Sequence, residues 1–200
     1  MSFFYFFQRI LLLILILGMS VPGWAKEPTD QVKQTTDRIL SIVTDSALKS
    51  PSKAQEKRRL IRRAVDELFD WEEMARRSLA RHWDQRTAEE KKEFVRLYSD
   101  LLERTYMEKV EGYSGEKITY EGETLDNGYA AVKVKIATKK NTDIRVEYRL
   151  SKEGNKWLVY DVLIEGISLV NNYRAQFNSI ISQSSYENLV KRLRNKVELK

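Results

Sequence analysis

Lys156–Ile181 reads KWLVYDVLIEGISLVNNYRAQFNSII. Trp157 to Ile164 is apolar on both faces except at Asp161, which predicts a strand covered on both sides, since a strand with one wet face alternates. Glu165-Gly166 breaks the strand, and a helix follows. Ile167 and Leu169 come directly after the break, before any helical turn can bury them regularly. Apolar residues at the lip of a sheet mark either a corner of the core or the mouth of a cavity. Both readings stay open at this point.

Upstream, the pattern is that of a meander. Lys117 to Leu125 is a weakly patterned strand, and Asp126-Asn127-Gly128 is a hairpin turn. Tyr129 to Thr138 puts Ala130, Val132, Val134 and Ile136 on one face, with Lys133 and Lys135 on the other. Lys139-Lys140-Asn141 turns. Asp143 to Leu150 sends Ile144, Val146, Tyr148 and Leu150 inward, and Asp143, Arg145, Glu147 and Arg149 outward. Glu153-Gly154-Asn155 turns into the Lys156–Ile164 strand. The prediction is an antiparallel sheet of about four strands with one wet face.

Helices flank this sheet on both sides in the sequence. Asp30–Leu48 and Lys53–Phe69 carry apolar stripes on either side of Ser50-Pro51-Ser52. Asp70–Trp83 gathers Trp71, Met74, Ala75, Leu79 and Trp83 on one side. Thr87-Ala-Glu-Glu90 is a capping box that opens a long helix bearing Phe94, Leu97, Tyr98, Leu101, Leu102 and Tyr106, closed by Gly112 and Gly115. Ser184-Ser-Tyr-Glu187 caps a last helix with Leu189, Val190, Leu193 and Val197 as its stripe. Helices must cover one sheet face, which gives an α+β layer fold in one domain.

The chain has 200 residues, no cysteine and a net charge of +6. Arg9, the aliphatic run Ile10–Leu17, and Gly23 and Ala25 form the pattern of a secretory leader cut after Ala25. The rival, an uncleaved membrane anchor, is interrupted by Gln8-Arg9 and ended by Pro22-Gly23. Cleavage would remove residues 1–25, leave 26–200 as a single domain, and lower the net charge to +5 through loss of Arg9. Lack of cysteine excludes disulfides and a lipid-modified cysteine at the cut, and an oxidising compartment places no demand on this chain. A chain of this size hides about 70% of its unfolded surface, enough for a core and a cavity. Lys57, Arg58, Arg59, Arg62 and Arg63 form a basic run, but Asp66, Glu67, Asp70, Glu72 and Glu73 follow closely. The run reads as a solvated helix face, and no nucleic-acid partner is expected.

Catalytic constellations are missing from the sequence. His82 is the only histidine, and without cysteine it builds no ordinary metal site. There is no glycine-rich phosphate loop and no Gly-x-Ser-x-Gly elbow. The nearest approach to an active site is Tyr160-Asp161 with Tyr148 across the sheet, because pocket isomerases use Asp and Tyr for proton transfer. Neighbours on a strand point to opposite faces, so both cannot line one pocket unless the strand bulges. Asp161 reads equally as a partner for a nearby backbone group or Arg. No enzyme activity, cofactor or metal is expected.

Two blocks carry a resemblance: WLVYDVLIEGISLVNNYRAQF, 157–177, and FDWEEMARRSLARHWDQRTAEEKKEFVRLYSDLLERTY, 69–106. With an aromatic after Asp70, Arg81-His-Trp83 and Thr87-Ala-Glu-Glu90, they resemble the MlaC, or toluene-tolerance, family over nearly all of the chain after residue 30. The resemblance implies a decorated NTF2-like fold, in which helices and a curved sheet enclose an apolar pocket for lipid acyl chains. It implies a monomeric periplasmic phospholipid carrier working between an inner-membrane Mla ABC transporter complex and an outer-membrane lipoprotein–porin complex, in maintenance of outer-membrane lipid asymmetry. The inward faces supply the pocket candidates: Leu97, Leu101 and Tyr106 on the long helix; Val132, Val134, Ile144, Val146 and Tyr148 on the sheet; Trp157, Val159, Leu163 and Ile167 around the opening stretch. The alternative is a periplasmic chaperone or adaptor that binds protein through the basic helices at Lys53–Arg63 and Lys191–Lys200. A core filled without a cavity would favour it.

Overall fold

A computed structural model of the chain describes residues 27–138 and 142–198. The leader expected at residues 1–25 and the turn expected at 139–141 lie outside the described residues. In chain order the elements are α1 (Pro28–Thr44), α2 (Ala54–Asp66), α3 (Trp71–Leu79), α4 (Ala88–Glu111), β1 (Lys117–Asp126), β2 (Tyr129–Ala137), β3 (Asp143–Glu153), β4 (Lys156–Ile164), β5 (Ile167–Ser168), α5 (Leu169–Gln183) and α6 (Tyr186–Glu198). Short 3-10 turns at Ser46–Leu48 and Pro51–Lys53 join α1 to α2. The capping box forms as expected: the Glu90 amide donates to Thr87 Oγ1 at 3.2 Å, and the Thr87 amide donates to Glu90 Oε2 at 2.8 Å.

The sheet is an antiparallel meander in the order β1-β2-β3-β4-β5. It has five strands rather than about four, because Glu165 and Gly166 turn the chain back so that Ile167 pairs with Ile164 and Ser168 with Leu163. Two bulges bend it. One inserts Glu121 in β1 and the other inserts Tyr160 in β4, between the pairs Leu150↔Val159 and Arg149↔Asp161. The second bulge changes the parity of β4. Trp157 and Val159 face the same side as Val162 and Ile164, and Tyr160 joins Asp161 on the other side.

Two apolar cores meet at Phe69 and Tyr106, which pack against both. One lies between α1 and the sheet, around Val32, Leu68, Val132, Leu150, Trp157 and Val159. The other is helical, around Met74, Phe94, Leu97, Tyr98, Leu101, Tyr173, Phe177 and Leu189. The segment after α2 pins the layers together. The Val159 amide donates to the Leu68 carbonyl at 2.8 Å, and the Asp70 amide to the Val159 carbonyl at 2.9 Å. The outer face of β4 meets α3 and α5, so this strand is covered on both sides, as its unbroken apolar run requires.

Candidate functional site

An apolar cavity of about 250 Å³ lies between the sheet and the helices. Its floor is Val146 and Tyr148 of β3 with Val162 and Ile164 of β4, and Leu169 closes one corner. Its walls are Ile39 of α1, Ile61 and Val65 of α2, Phe69, Trp71 and Met74 around the start of α3, and Leu102, Tyr106, Met107 and Val110 of α4. The only charged groups on the lining are Arg62 and Glu103. An apolar cavity of ~150 Å³ already stays dry and takes up a nonpolar guest, so this larger one is suited to apolar ligands rather than water.

Of the residues selected from the sequence, Tyr106, Val146 and Tyr148 line the cavity together. Val132, Val134, Trp157 and Val159 are on the same face of the sheet but are buried in the core under α1, and Ile144 packs partly buried against that core. Leu97 and Leu101 do not reach the cavity; they fill the helical core. The reason is that the apolar arc of α4 serves two neighbours. Phe94, Leu97, Tyr98 and Leu101 face α3, α5 and α6, whereas Leu102, Tyr106, Met107 and Val110 face the cavity. That change was legible in principle, because the apolar stripe moves over by one position after Leu101. Leu163 pairs with Glu147 and Ser168 on the opposite face of the sheet. Ile167, paired with Ile164, shares the cavity face and is 63% exposed. The cavity residues contributed by α1 and α2 were not selected, because periodicity alone does not say which helix roofs the sheet.

The polar groups around the cavity are few. Tyr148 is half-buried, and burial pushes its phenol up to about 12. Arg62 feels two opposed effects: burial disfavours its charge, but the hydrogen bonds it donates to Asp66 and Glu103 outweigh this and raise its pKa. It therefore stays a cation. Asp161 lies across the sheet from the cavity, 4% exposed. Its Oδ2 accepts from Ser168 Oγ at 2.6 Å and its Oδ1 from the Val170 amide at 3.1 Å. Tyr160 packs under the Arg77 guanidinium, 4.1 Å from ring centroid to Cζ, and edge-on against Tyr129. The expectation that Tyr160 and Asp161 point apart is thus corrected by the bulge: both face away from Tyr148, and the Tyr–Asp constellation of an isomerase is not assembled in the cavity. His82 shares Asn178 Oδ1 with Arg81, and among the described residues no cluster of His, Asp and Glu could hold a metal ion. No described helix is long and apolar enough to cross a membrane.

A bent antiparallel sheet, roofed on one face by helices that leave an apolar cavity above β3 and β4, defines an α+β cavity protein of helix-on-sheet type. The chain belongs to the MlaC family: residues 33–195 match the family described as MlaC protein. It is 22% identical over 167 residues to the intermembrane phospholipid transport system binding protein MlaC of Haemophilus influenzae, covering 81% of this chain and 78% of that one. Its structure is similar to that of the phospholipid-binding protein from Ralstonia solanacearum, solved in complex with a phospholipid. The TM-score is 0.78 and the identity 24%, over 86% of this chain and 97% of that one. At that identity the likeness speaks to the fold.

Proposed function

We propose that this chain binds phospholipid and carries it, as a soluble periplasmic protein without catalytic turnover, between an inner-membrane Mla ABC transporter complex and an outer-membrane lipoprotein–porin complex. The observation that carries the reading is the apolar cavity of an MlaC-family fold, whose lining, among the described residues, is charged only at Arg62 and Glu103. Acyl chains occupy it in this reading, in contact with Tyr106, Val146 and Tyr148, with Ile167 at the rim. The energetics suit a shuttle. Burying a methylene gains ~0.8 kcal/mol over water, so two chains gain on the order of 20 kcal/mol. Lipid in a bilayer has already made that gain, so exchange between membrane and pocket is near neutral and a docking partner can set its direction. The cavity also weighs against the protein-binding chaperone, which needs none. Export follows from the leader pattern, and the mature chain then begins at Lys26.

The test is direct. The protein is purified from its periplasmic fraction without detergent, extracted with organic solvent, and the extract analysed by mass spectrometry. Intact diacyl phospholipid in near-stoichiometric amount is the expected result. A folded protein that yields no lipid, and takes none from vesicles, overturns the proposal. Edman sequencing of the same sample should read from Lys26; a retained Met1 would refute the export step.

A further inference from the structure

The seam between α2 and α4 separates the cavity from a surface groove. Glu103 and Met107 line the apolar cavity on one side, and on the other they line a polar groove at the protein surface. The same two side chains thus separate the two spaces, and ion pairs cross the seam beside them. Arg58 grips Glu111 with two hydrogen bonds, Nε to Oε1 at 3.2 Å and Nη2 to Oε2 at 3.0 Å. Arg62 Nη1 donates to Asp100 at 3.1 Å and to Glu103 at 2.5 Å, and its Nη2 donates to Ser99 Oγ at 2.8 Å. The backbone of α2 approaches α1 closely and not α4, and its buried residues, Ile61 and Ala64, belong to neither core.

Size makes this seam significant. A cavity of about 250 Å³ has room for about eight water-sized groups at roughly 30 Å³ each. Two acyl chains bring about 25 methylenes, the number behind the transfer energy above. A wall must therefore move outward to admit them. Parting an interdigitated core exposes apolar surface at full cost. Parting ion pairs that already touch water at their edge, with Arg62 23% and Glu103 30% exposed, returns both charges to water and exposes less apolar surface. The floor is a hydrogen-bonded sheet and the far side of α4 is locked into the helical core, which leaves α2 as the element that yields.

We propose that α2 is a flap over the lipid cavity, latched to α4 by ion pairs, and that Arg62 is the positioning residue that sets how readily it opens. The flap is tethered upstream by the 3-10 turns at Ser46–Leu48 and Pro51–Lys53. Downstream it is pinned at Leu68, whose carbonyl is held by Val159. The proposal rests on the lipid-binding reading, and its test separates the two.

The chain has no cysteine, so a pair can be introduced without interference. Full-length Arg62→Cys/Glu103→Cys protein is prepared reduced, and also bridged across the seam by a short bis-methanethiosulfonate reagent. Uptake of a fluorescent phospholipid from phosphatidylcholine vesicles is then timed. The reduced variant, which loses the Arg62 part of the latch and keeps Arg58–Glu111, should load about fivefold faster than wild type, the scale of one or two surface ion pairs. The bridged form should stop loading and recover when the bridge is reduced. Loading by the bridged form at the wild-type rate overturns the flap. A second measurement needs neither the cysteine pair nor lipid: hydrogen exchange of the α2 amides should quicken in Arg62→Gln while that of α4 stays unchanged. Unchanged exchange in α2 overturns the latch. If wild type loads no lipid at all, it is the binding reading that fails, and hydrogen exchange still decides whether the seam opens.

Discussion

Asp161 shows what a single side chain does in this fold. Its two oxygens take up the Ser168 hydroxyl and the Val170 amide, and Ser168 Oγ in turn accepts from the Asn171 amide at 3.0 Å. One carboxylate thereby ties β4 to the first turn of α5, where unpaired amides and the helix dipole favour an anion. The sequence admitted two readings of this residue, a general base or a structural partner. The bulge at Tyr160 separates them by placing the carboxylate on the face away from the cavity. Asp161→Ala leaves a buried hydroxyl and a buried amide without their acceptor and should cost about 3 kcal/mol. Asp161→Asn keeps a carbonyl oxygen in place, loses the charge, and should cost about 1 kcal/mol. Urea unfolding with an unchanged m-value is the measurement. An alanine variant within ~0.5 kcal/mol of wild type, the scatter of ordinary surface changes, would mean that the cap contributes nothing.

At the scale of elements, the turn between β4 and β5 decides what Ile167 does. Glu165 and Gly166 both have positive φ, 50° and 77°, the signature of a two-residue hairpin whose twist matches the strands. Its register sets Ile167 opposite Ile164, a cavity residue, and leaves Ile167 63% exposed. A core corner would have buried it. Ile167→Glu should therefore fold with a loss of no more than ~1–2 kcal/mol, since the new carboxylate can turn to water, and should lose most of its bound lipid. Thermal melting and lipid mass spectrometry on one preparation check this; a folded variant that stays fully loaded removes Ile167 from the rim. Most of the elements were legible because each carried its own local signal. Alternation marked β2 and β3, an unbroken apolar run marked β4, and Thr87 with Glu90 marked the start of α4, where Thr87→Ala should cost ~1 kcal/mol by urea unfolding. The cavity was legible only in part. Tyr106, Val146 and Tyr148 follow from strand and helix parity. Leu97 and Leu101 carry the same periodicity yet serve the helical core, and the share of α1 and α2 in the walls depends on layer packing that no local pattern encodes.

At the scale of the whole molecule, burial of tyrosine links both cores to one measurable property. The chain has ten tyrosines. Tyr98 is sunk in the helical core, and burial raises its phenol well above the ordinary value of 10. Tyr148 lies in the cavity floor and Tyr186 against α4, its hydroxyl donating to the Glu90 carbonyl at 3.2 Å; burial pushes each up to about 12. The folded protein therefore holds these protons more tightly than the unfolded chain, whose tyrosines ionise near 10. Their stabilisation is complete below about pH 10 and is lost as the pH rises from there toward 12. Three groups in three places, on the sheet, inside the helical core and on α6, should make the loss cooperative. Absorbance at 295 nm should show a set of phenols, Tyr98, Tyr148 and Tyr186 among them, that ionises only as the far-ultraviolet circular dichroism collapses. Tyr148→Phe should shrink this set by one residue without lowering stability at pH 7 by more than ~1 kcal/mol, since among the described residues its hydroxyl makes no hydrogen bond that the change would break. If Tyr98 and Tyr148 ionised near pH 10 in protein with native dichroism, neither the helical core around Tyr98 nor the cavity floor around Tyr148 would be packed as described.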